Sequence, residues 1–141
     1  GLKDQLAQFG QDVKENGGLV RILEVAGGFH SPFMQSAATE LKDIFEQASV
    51  AEAQIPVYAN CTGEKYQGNY TDTMLRQIVS PILWQKSIEN MIADGVDTFI
   101  EVGPGSRLTK MITRISKDIT MLNVENEETL ELAVKTAGGQ K

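Results

Sequence analysis

Short β-branched runs alternate along this chain with segments of helical apolar periodicity, and glycines separate many of them. The strands are predicted at residues 19–26, 55–60, 98–102 and 120–124, with helices in the segments between and around them. Such alternation favours an α/β layered fold with parallel strand pairs joined by crossover helices. The helix predicted after the first of these strands is expected to bury its apolar side, whose members are Phe33, Ala37, Leu41, Ile44 and Ala48.

Composition excludes several classes of protein. A net charge of -6 over 141 residues argues against a nucleic-acid-binding or anionic-membrane surface. The single cysteine, Cys61, excludes an internal disulfide and a cysteine-based metal site. No apolar run reaches the length of a membrane span, and the first twenty residues do not have the pattern of a signal peptide. We therefore expect a soluble, cytoplasmic protein.

The only histidine, His30, lies in the turn Gly27-Gly28-Phe29-His30-Ser31-Pro32. Ser31 followed by Pro32 is typical of a helix start, so His30 is predicted to lie between a strand and a helix. A neutral imidazole at such a position can act as a general base. No Gly-x-Ser-x-Gly sequence occurs in the chain to supply its nucleophile. From the residues alone, a structural role for a lone histidine is the more common one.

The turn Gly103-Pro104-Gly105 lies between a predicted strand and a predicted helix, as a dinucleotide-binding loop would. The third glycine of that fingerprint is replaced by Leu108, and two glycines alone are weak evidence for such a loop. This turn is therefore expected to be structural.

Three motifs occur in order: the His30 turn, then Arg76-Gln77 with Ser80-Pro81 and Trp84, then Glu101-Val102-Gly103-Pro104-Gly105. Their combination and spacing resemble the C-terminal half of the malonyl-CoA:acyl-carrier-protein transacylases, from about residue 17 to about residue 132. The resemblance implies an α/β-hydrolase-like large domain into which a ferredoxin-like small subdomain is inserted. Residues 1–26 would be the last helix and strand of the small subdomain, and residues 27–141 the C-terminal part of the large domain.

The same resemblance implies a function in fatty acid biosynthesis. Malonyl would pass from coenzyme A to the phosphopantetheine thiol of an acyl carrier protein by a ping-pong serine mechanism, without a metal or cofactor. His30 would be the general base and acid, and Gln77 would accept a hydrogen bond from it and fix its tautomer. Phe29 matches the type found in members that select malonyl, and Ser80, Pro81 and Trp84 are interpreted as packing residues.

The resemblance also defines what this chain lacks. The nucleophile elbow, the oxyanion loop and the arginine that pairs with malonyl belong to the first half of the family. We therefore expect a fragment, or one of two chains, that is inactive alone and binds the missing N-terminal half through an open sheet edge and exposed apolar faces. The alternatives are part of a polyketide synthase acyltransferase domain, with the same chemistry, and a non-catalytic binding domain of the same fold.

Four cations follow the glycine turn at intervals of three or four residues, which would place them on one helical face: Arg107, Lys110, Arg114 and Lys117. Acyl carrier proteins are acidic, so one hypothesis is that this face docks the carrier. The alternative is a solvated face whose cations suit the C-terminal end of the helix.

Overall fold

The computed structural model describes residues 1–138, and the last three residues of the predicted segment 27–141 lie outside that range. The helices are α1 (Lys3–Glu15), α2 (Gln35–Gln47), α3 (Tyr70–Val79), α4 (Trp84–Ala93), α5 (Arg107–Ile115) and α6 (Glu127–Gly138). The strands are β1 (Tyr58–Ala59), β2 (Glu64–Lys65), β3 (Thr98–Val102) and β4 (Thr120–Val124). Among the helices of this range, none has both the length and the apolar character needed to cross a membrane.

The best-formed unit is β3-α5-β4. Its two strands have the predicted bounds and pair in parallel, with Thr98 opposite Thr120 and Val102 opposite Val124. Parallel pairing requires a crossover, and α5 provides it. The predicted α/β class with a parallel pair is confirmed. The core lies against this unit: Ile88 of α4, Phe99 of β3 and Ile112 of α5 pack together, with Trp84 at the margin.

The predicted strand 55–60 is shorter in the structure and belongs to a hairpin. Of residues 55–60, only the two residues of β1 form a strand, which pairs with β2 in antiparallel register. Pro56 has no amide hydrogen for a ladder, which limits the strand on its N-terminal side. Gly63 in the connecting turn has a φ of 71°, and a Cβ there would lie 2.9 Å from the Lys86 side chain. This turn therefore requires glycine.

The prediction of a strand at residues 19–26 is wrong. The segment has no ladder hydrogen bonds, and Leu19 is 100% exposed. High β-branched content favours a strand only when a partner strand is available, and residues 1–138 contain none for this segment. Of the predicted helix and strand of a small subdomain, only the helix, α1, forms. The assignment of residues 1–26 to a ferredoxin-like subdomain stays a prediction.

The second helix also differs from the prediction. It is preceded by a 3-10 turn, Pro32–Met34, and Ser31 caps that turn by accepting the Phe33 N–H at 3.4 Å. The helix packs against α3 through a narrow stripe at which Ala38 is buried. Of the residues predicted to be buried, Ala37 and Leu41 are half-buried, and the exposed ones are Phe33, Ile44 and Ala48. The stripe is narrow because α3 covers only one side of the helix.

Candidate active site

His30 lies in a tight turn with an unusual backbone. Its φ is 56°, the only positive value at a non-glycine residue among residues 1–138. The Ser31 hydroxyl donates to the Gly28 carbonyl, and the Met34 N–H donates to the Ser31 carbonyl at 3.0 Å, so the turn is closed on both sides of the histidine. A left-handed non-glycine residue costs about 1–3 kcal/mol, and such residues cluster at functional sites.

The main-chain carbonyl of Gln77 is available because α3 ends there. The helix stops at Val79, and Ser80 is extended with φ -113° and ψ 150°, as expected before a proline. Pro81 is the residue whose N–H would bond to the Gln77 carbonyl if the helix continued, and proline has no N–H. The Gln77 carbonyl instead lies 3.0 Å from His30 Nδ1.

This contact determines which ring nitrogen of His30 carries the proton. A carbonyl oxygen can only accept, so Nδ1 must donate to it. In the neutral ring Nε2 then has no proton and keeps its lone pair. A neutral His30 held in this way can take a proton at Nε2.

The side chain of Gln77 makes separate contacts. Its Oε1 accepts the Asn60 N–H at 2.7 Å, and its Nε2 donates to the Tyr66 hydroxyl oxygen at 2.6 Å. The structure therefore brings the two predicted catalytic residues together, but through the main chain of Gln77 and not through its amide. Sequence reasoning missed Tyr66, and the one available signal for the carbonyl was the proline four residues after Gln77.

Asn60 links this site to α4. Its carbonyl accepts the Leu83 N–H at 2.7 Å, just before α4 begins. Its own Oδ1 is buried and has no hydrogen-bond partner among residues 1–138. The result is an open acceptor position beside Gln77.

Phe29 lies immediately before His30 and is 56% exposed. Its side chain is thus available at the surface beside the histidine. Its role in substrate selection stays a prediction.

Within residues 1–138 no three side chains of the His, Cys, Asp and Glu types are grouped so that they could hold a metal ion. Cys61 is half-buried, and its sulfur lies 4.0 Å from the Thr73 carbonyl oxygen.

The glycine turn after β3 is stabilised by Glu101. Its carboxylate accepts the Leu108 N–H at 3.0 Å, the Thr109 N–H at 2.8 Å and the Thr109 hydroxyl at 2.6 Å. The hydrogen bond from the Thr109 hydroxyl, followed by those from main-chain amides, lowers the pKa of Glu101. The first turn of α5 thus binds a carboxylate of the protein itself where a nucleotide loop would bind phosphate. This arrangement fits a structural turn.

The four predicted docking cations are all exposed, but only three lie on α5. The prediction that Lys117 shares a helical face with the other three is wrong, because the helix ends at Ile115 and Ser116 is extended. The chain must leave the helix there to enter β4, whose Thr120 N–H donates to the Asp97 carbonyl at 2.8 Å. In the described part of the chain none of the four cations forms an ion pair.

A groove of about 530 Å³ lies between α5 and the start of α4, and of these four cations Arg114 lines it. Most of its lining is apolar, and the lining residues that matter here are Ile82, Leu83, Trp84, Met111, Arg114 and Ile115. The indole N–H of Trp84 is buried without an acceptor among residues 1–138. The groove therefore combines an apolar floor with a cationic border at Arg114.

No protein-family model matches this chain. A curated relative, the malonyl CoA-acyl carrier protein transacylase of Bacillus subtilis (strain 168), is 36% identical over 126 residues. The match covers 87% of this chain and 40% of that protein. The chain thus spans about two fifths of the length of the curated relative.

Solved structures give the same result. The malonyl CoA-acyl carrier protein transacylase of Clostridium perfringens matches 95% of this chain and 43% of its own, with a TM-score of 0.88 and 35% identity. A malonyl-transacylase solved in complex with its type II polyketide synthase acyl-carrier protein matches 95% of this chain and 44% of its own, with a TM-score of 0.88 and 26% identity. Over nearly its whole length the chain is therefore homologous to the malonyl CoA-acyl carrier protein transacylases, and the resemblance predicted from its motifs is confirmed.

Proposed function

We propose that the complete protein transfers malonyl from coenzyme A to the phosphopantetheine thiol of an acyl carrier protein, in the cytoplasm, for fatty acid biosynthesis. The observation that carries this proposal is the contact of His30 Nδ1 with the Gln77 carbonyl, which leaves Nε2 free to accept a proton. The chain spans 40% of the length of its relative. We therefore assign the serine nucleophile to a part of the complete protein outside these 141 residues.

The proposed reaction has two halves. His30 Nε2 takes the serine hydroxyl proton while the serine oxygen attacks the malonyl thioester, and the carbon–sulfur bond breaks as the coenzyme A thiolate takes the proton from His30. In the second half, Nε2 takes the proton of the carrier thiol, the thiol attacks the malonyl ester, and the serine oxygen leaves with that proton. Each proton and each bond is accounted for by the side chains and the two substrates.

Gln77 has a defined part in this scheme. When His30 is protonated both ring nitrogens are donors, and the Gln77 carbonyl continues to accept from Nδ1. The imidazolium is thereby held with its Nε2 proton directed to the leaving group. Phe29, exposed next to the base, is assigned to the malonyl-binding side of the site.

The test uses the complete protein and malonyl-CoA. After incubation and removal of free thioester, intact-mass analysis should detect one covalently bound malonyl group, and holo acyl carrier protein should discharge it. A complete protein that transfers malonyl without ever forming the covalent adduct, or that neither forms it nor transfers malonyl, would overturn the proposal.

We further infer that the cations at and after α5 attract the carrier. They are exposed and unneutralised within residues 1–138, on a chain whose net charge is -6. An acidic partner is therefore drawn to this patch and repelled by the chain as a whole. The apolar groove next to Arg114 offers a contact surface once the carrier has arrived.

Reversing two of these charges should slow transfer to the carrier. In the complete protein, the double variant Arg114→Glu/Lys117→Glu should lower kcat/KM for the carrier by roughly tenfold at low salt, because steering accelerates encounter by about that factor or more. The difference should shrink as salt rises, because exposed charges are screened. Initial rates of malonyl transfer at several carrier concentrations and two salt concentrations provide the measurement.

The matched control for this experiment is Lys14→Glu/Lys135→Glu, which changes the net charge equally at two exposed positions on other helices. It should leave kcat/KM for the carrier nearly unchanged. Equal losses in the two double variants would assign the effect to net charge and contradict a docking role for the basic patch.

A further inference from the structure

We propose that Tyr66 is a positioning residue for the base, because its hydroxyl holds the Gln77 side chain and so fixes the carbonyl that orients His30. This inference rests on the proposed function of His30. Tyr66 forms no hydrogen bond with the histidine, and it acts through Gln77.

The starting point is the weak position of the Gln77 carbonyl in its own helix. Gln77 lies in the last turn of α3, which ends at Val79. Carbonyls in the last turn lack helical partners, and Pro81 prevents the helix from supplying one. Helix ends also fray. The direction of this carbonyl is therefore not fixed by α3 itself.

The side chain of Gln77 supplies the missing restraint. It is held at both ends of its amide, by the Asn60 N–H at 2.7 Å and by the Tyr66 hydroxyl oxygen at 2.6 Å. Asn60 follows β1 and Tyr66 follows β2, so both contacts come from the hairpin. The hairpin thus holds the end of α3 from outside the helix.

Tyr66 is itself well anchored. Its N–H donates to the Val57 carbonyl at 2.8 Å, and its ring stacks on Tyr70 with centroids 5.1 Å apart and planes 8° from parallel. Burial raises the pKa of the Tyr66 hydroxyl, so the group stays protonated at neutral pH. A neutral, fixed hydroxyl oxygen is a steady acceptor for the Gln77 amide.

The variant Tyr66→Phe removes this one acceptor and keeps the ring that stacks on Tyr70. The Gln77 amide then loses one of its two hydrogen bonds. The Gln77 carbonyl is no longer held in a fixed direction, so it orients the Nδ1 proton of His30 less strictly. We expect kcat for malonyl transfer to fall roughly tenfold, because small displacements of a catalytic group cost large factors in rate. KM for malonyl-CoA should be unchanged.

Tyr70→Phe is the matched control. It removes a tyrosine hydroxyl from the same stacked pair, and that hydroxyl accepts the Ala53 N–H at 3.2 Å without contacting Gln77. If the ring pair were merely structural, the two variants would behave alike. If Tyr66 positions the base, only Tyr66→Phe should change the chemistry.

The decisive readout is the tautomer of His30 in the complete protein. With ¹⁵N-labelled histidine, assigned by comparison with His30→Asn, the wild type should show the Nδ1–H form. Tyr66→Phe should show a larger share of Nε2–H and a shifted pH–rate profile, while Tyr70→Phe should show neither. Unchanged ring-nitrogen signals in Tyr66→Phe, or equal losses of kcat in both variants, would overturn the proposal. Since the NMR signals are independent of turnover, full activity in His30→Ala would overturn the proposed function separately.

Discussion

Replacing His30 by alanine in the complete protein should lower kcat for malonyl transfer by about 10⁴-fold or more, a loss comparable to removal of the base from a serine-histidine pair. The serine proton would lose its proposed acceptor, which is the unprotonated Nε2 of the neutral His30 ring. Transfer from malonyl-CoA to the carrier and formation of the covalent malonyl-enzyme should fall together.

A second variant separates loss of the base from loss of the fold. Asparagine tolerates a positive φ better than alanine does, and the φ of His30 is 56°. His30→Asn and His30→Ala should therefore be equally inactive, while His30→Asn unfolds at a higher denaturant concentration. An asparagine variant that keeps most of its turnover would show that the imidazole is not the base.

Ile88→Ala should lower the free energy of unfolding of the complete protein by about 2–5 kcal/mol. Ile88 is 2% exposed and packs with Phe99 and Ile112, where α4 and α5 meet β3. Removing its outer carbons leaves a cavity that these rigid elements cannot fill. Urea denaturation followed by circular dichroism gives the measurement.

The matched variant at this position is Ile88→Val, which removes one methylene group and should cost about 0.5–1.5 kcal/mol. The loss should therefore increase with the number of carbons removed. An alanine variant no less stable than the valine variant would show that the core adjusts freely at Ile88.

The strands predicted best from the sequence are two that pair with each other within this chain. The strands predicted at residues 98–102 and 120–124 have the same bounds in the structure, because each strand pairs with the other and α5 joins them. Residues 19–26 also contain β-branched residues, at Val20, Ile22 and Val25, and form no strand. A strand depends on a ladder partner, which local composition does not reveal.

The candidate site could be predicted in its residues but not in its contacts. The motifs identified His30 and Gln77, whereas the acceptor of the histidine proton is a main-chain carbonyl. Every residue carries such a carbonyl, so its one signal in the sequence is Pro81, four residues after Gln77. The contact of Tyr66 with Gln77 could not be predicted from the sequence either, because the two residues meet only when the hairpin has folded.

Pro81 affects this site through the covalent structure of the backbone, because proline has no amide hydrogen. The Gln77 carbonyl oxygen could accept a hydrogen bond from the amide of residue 81, if the helix continued, or from His30 Nδ1. Because Pro81 has no amide hydrogen, His30 is the donor. Any other amino acid at position 81 would return a rival donor to the backbone. Pro81 thus helps to set the tautomer of His30, through a hydrogen that it does not have.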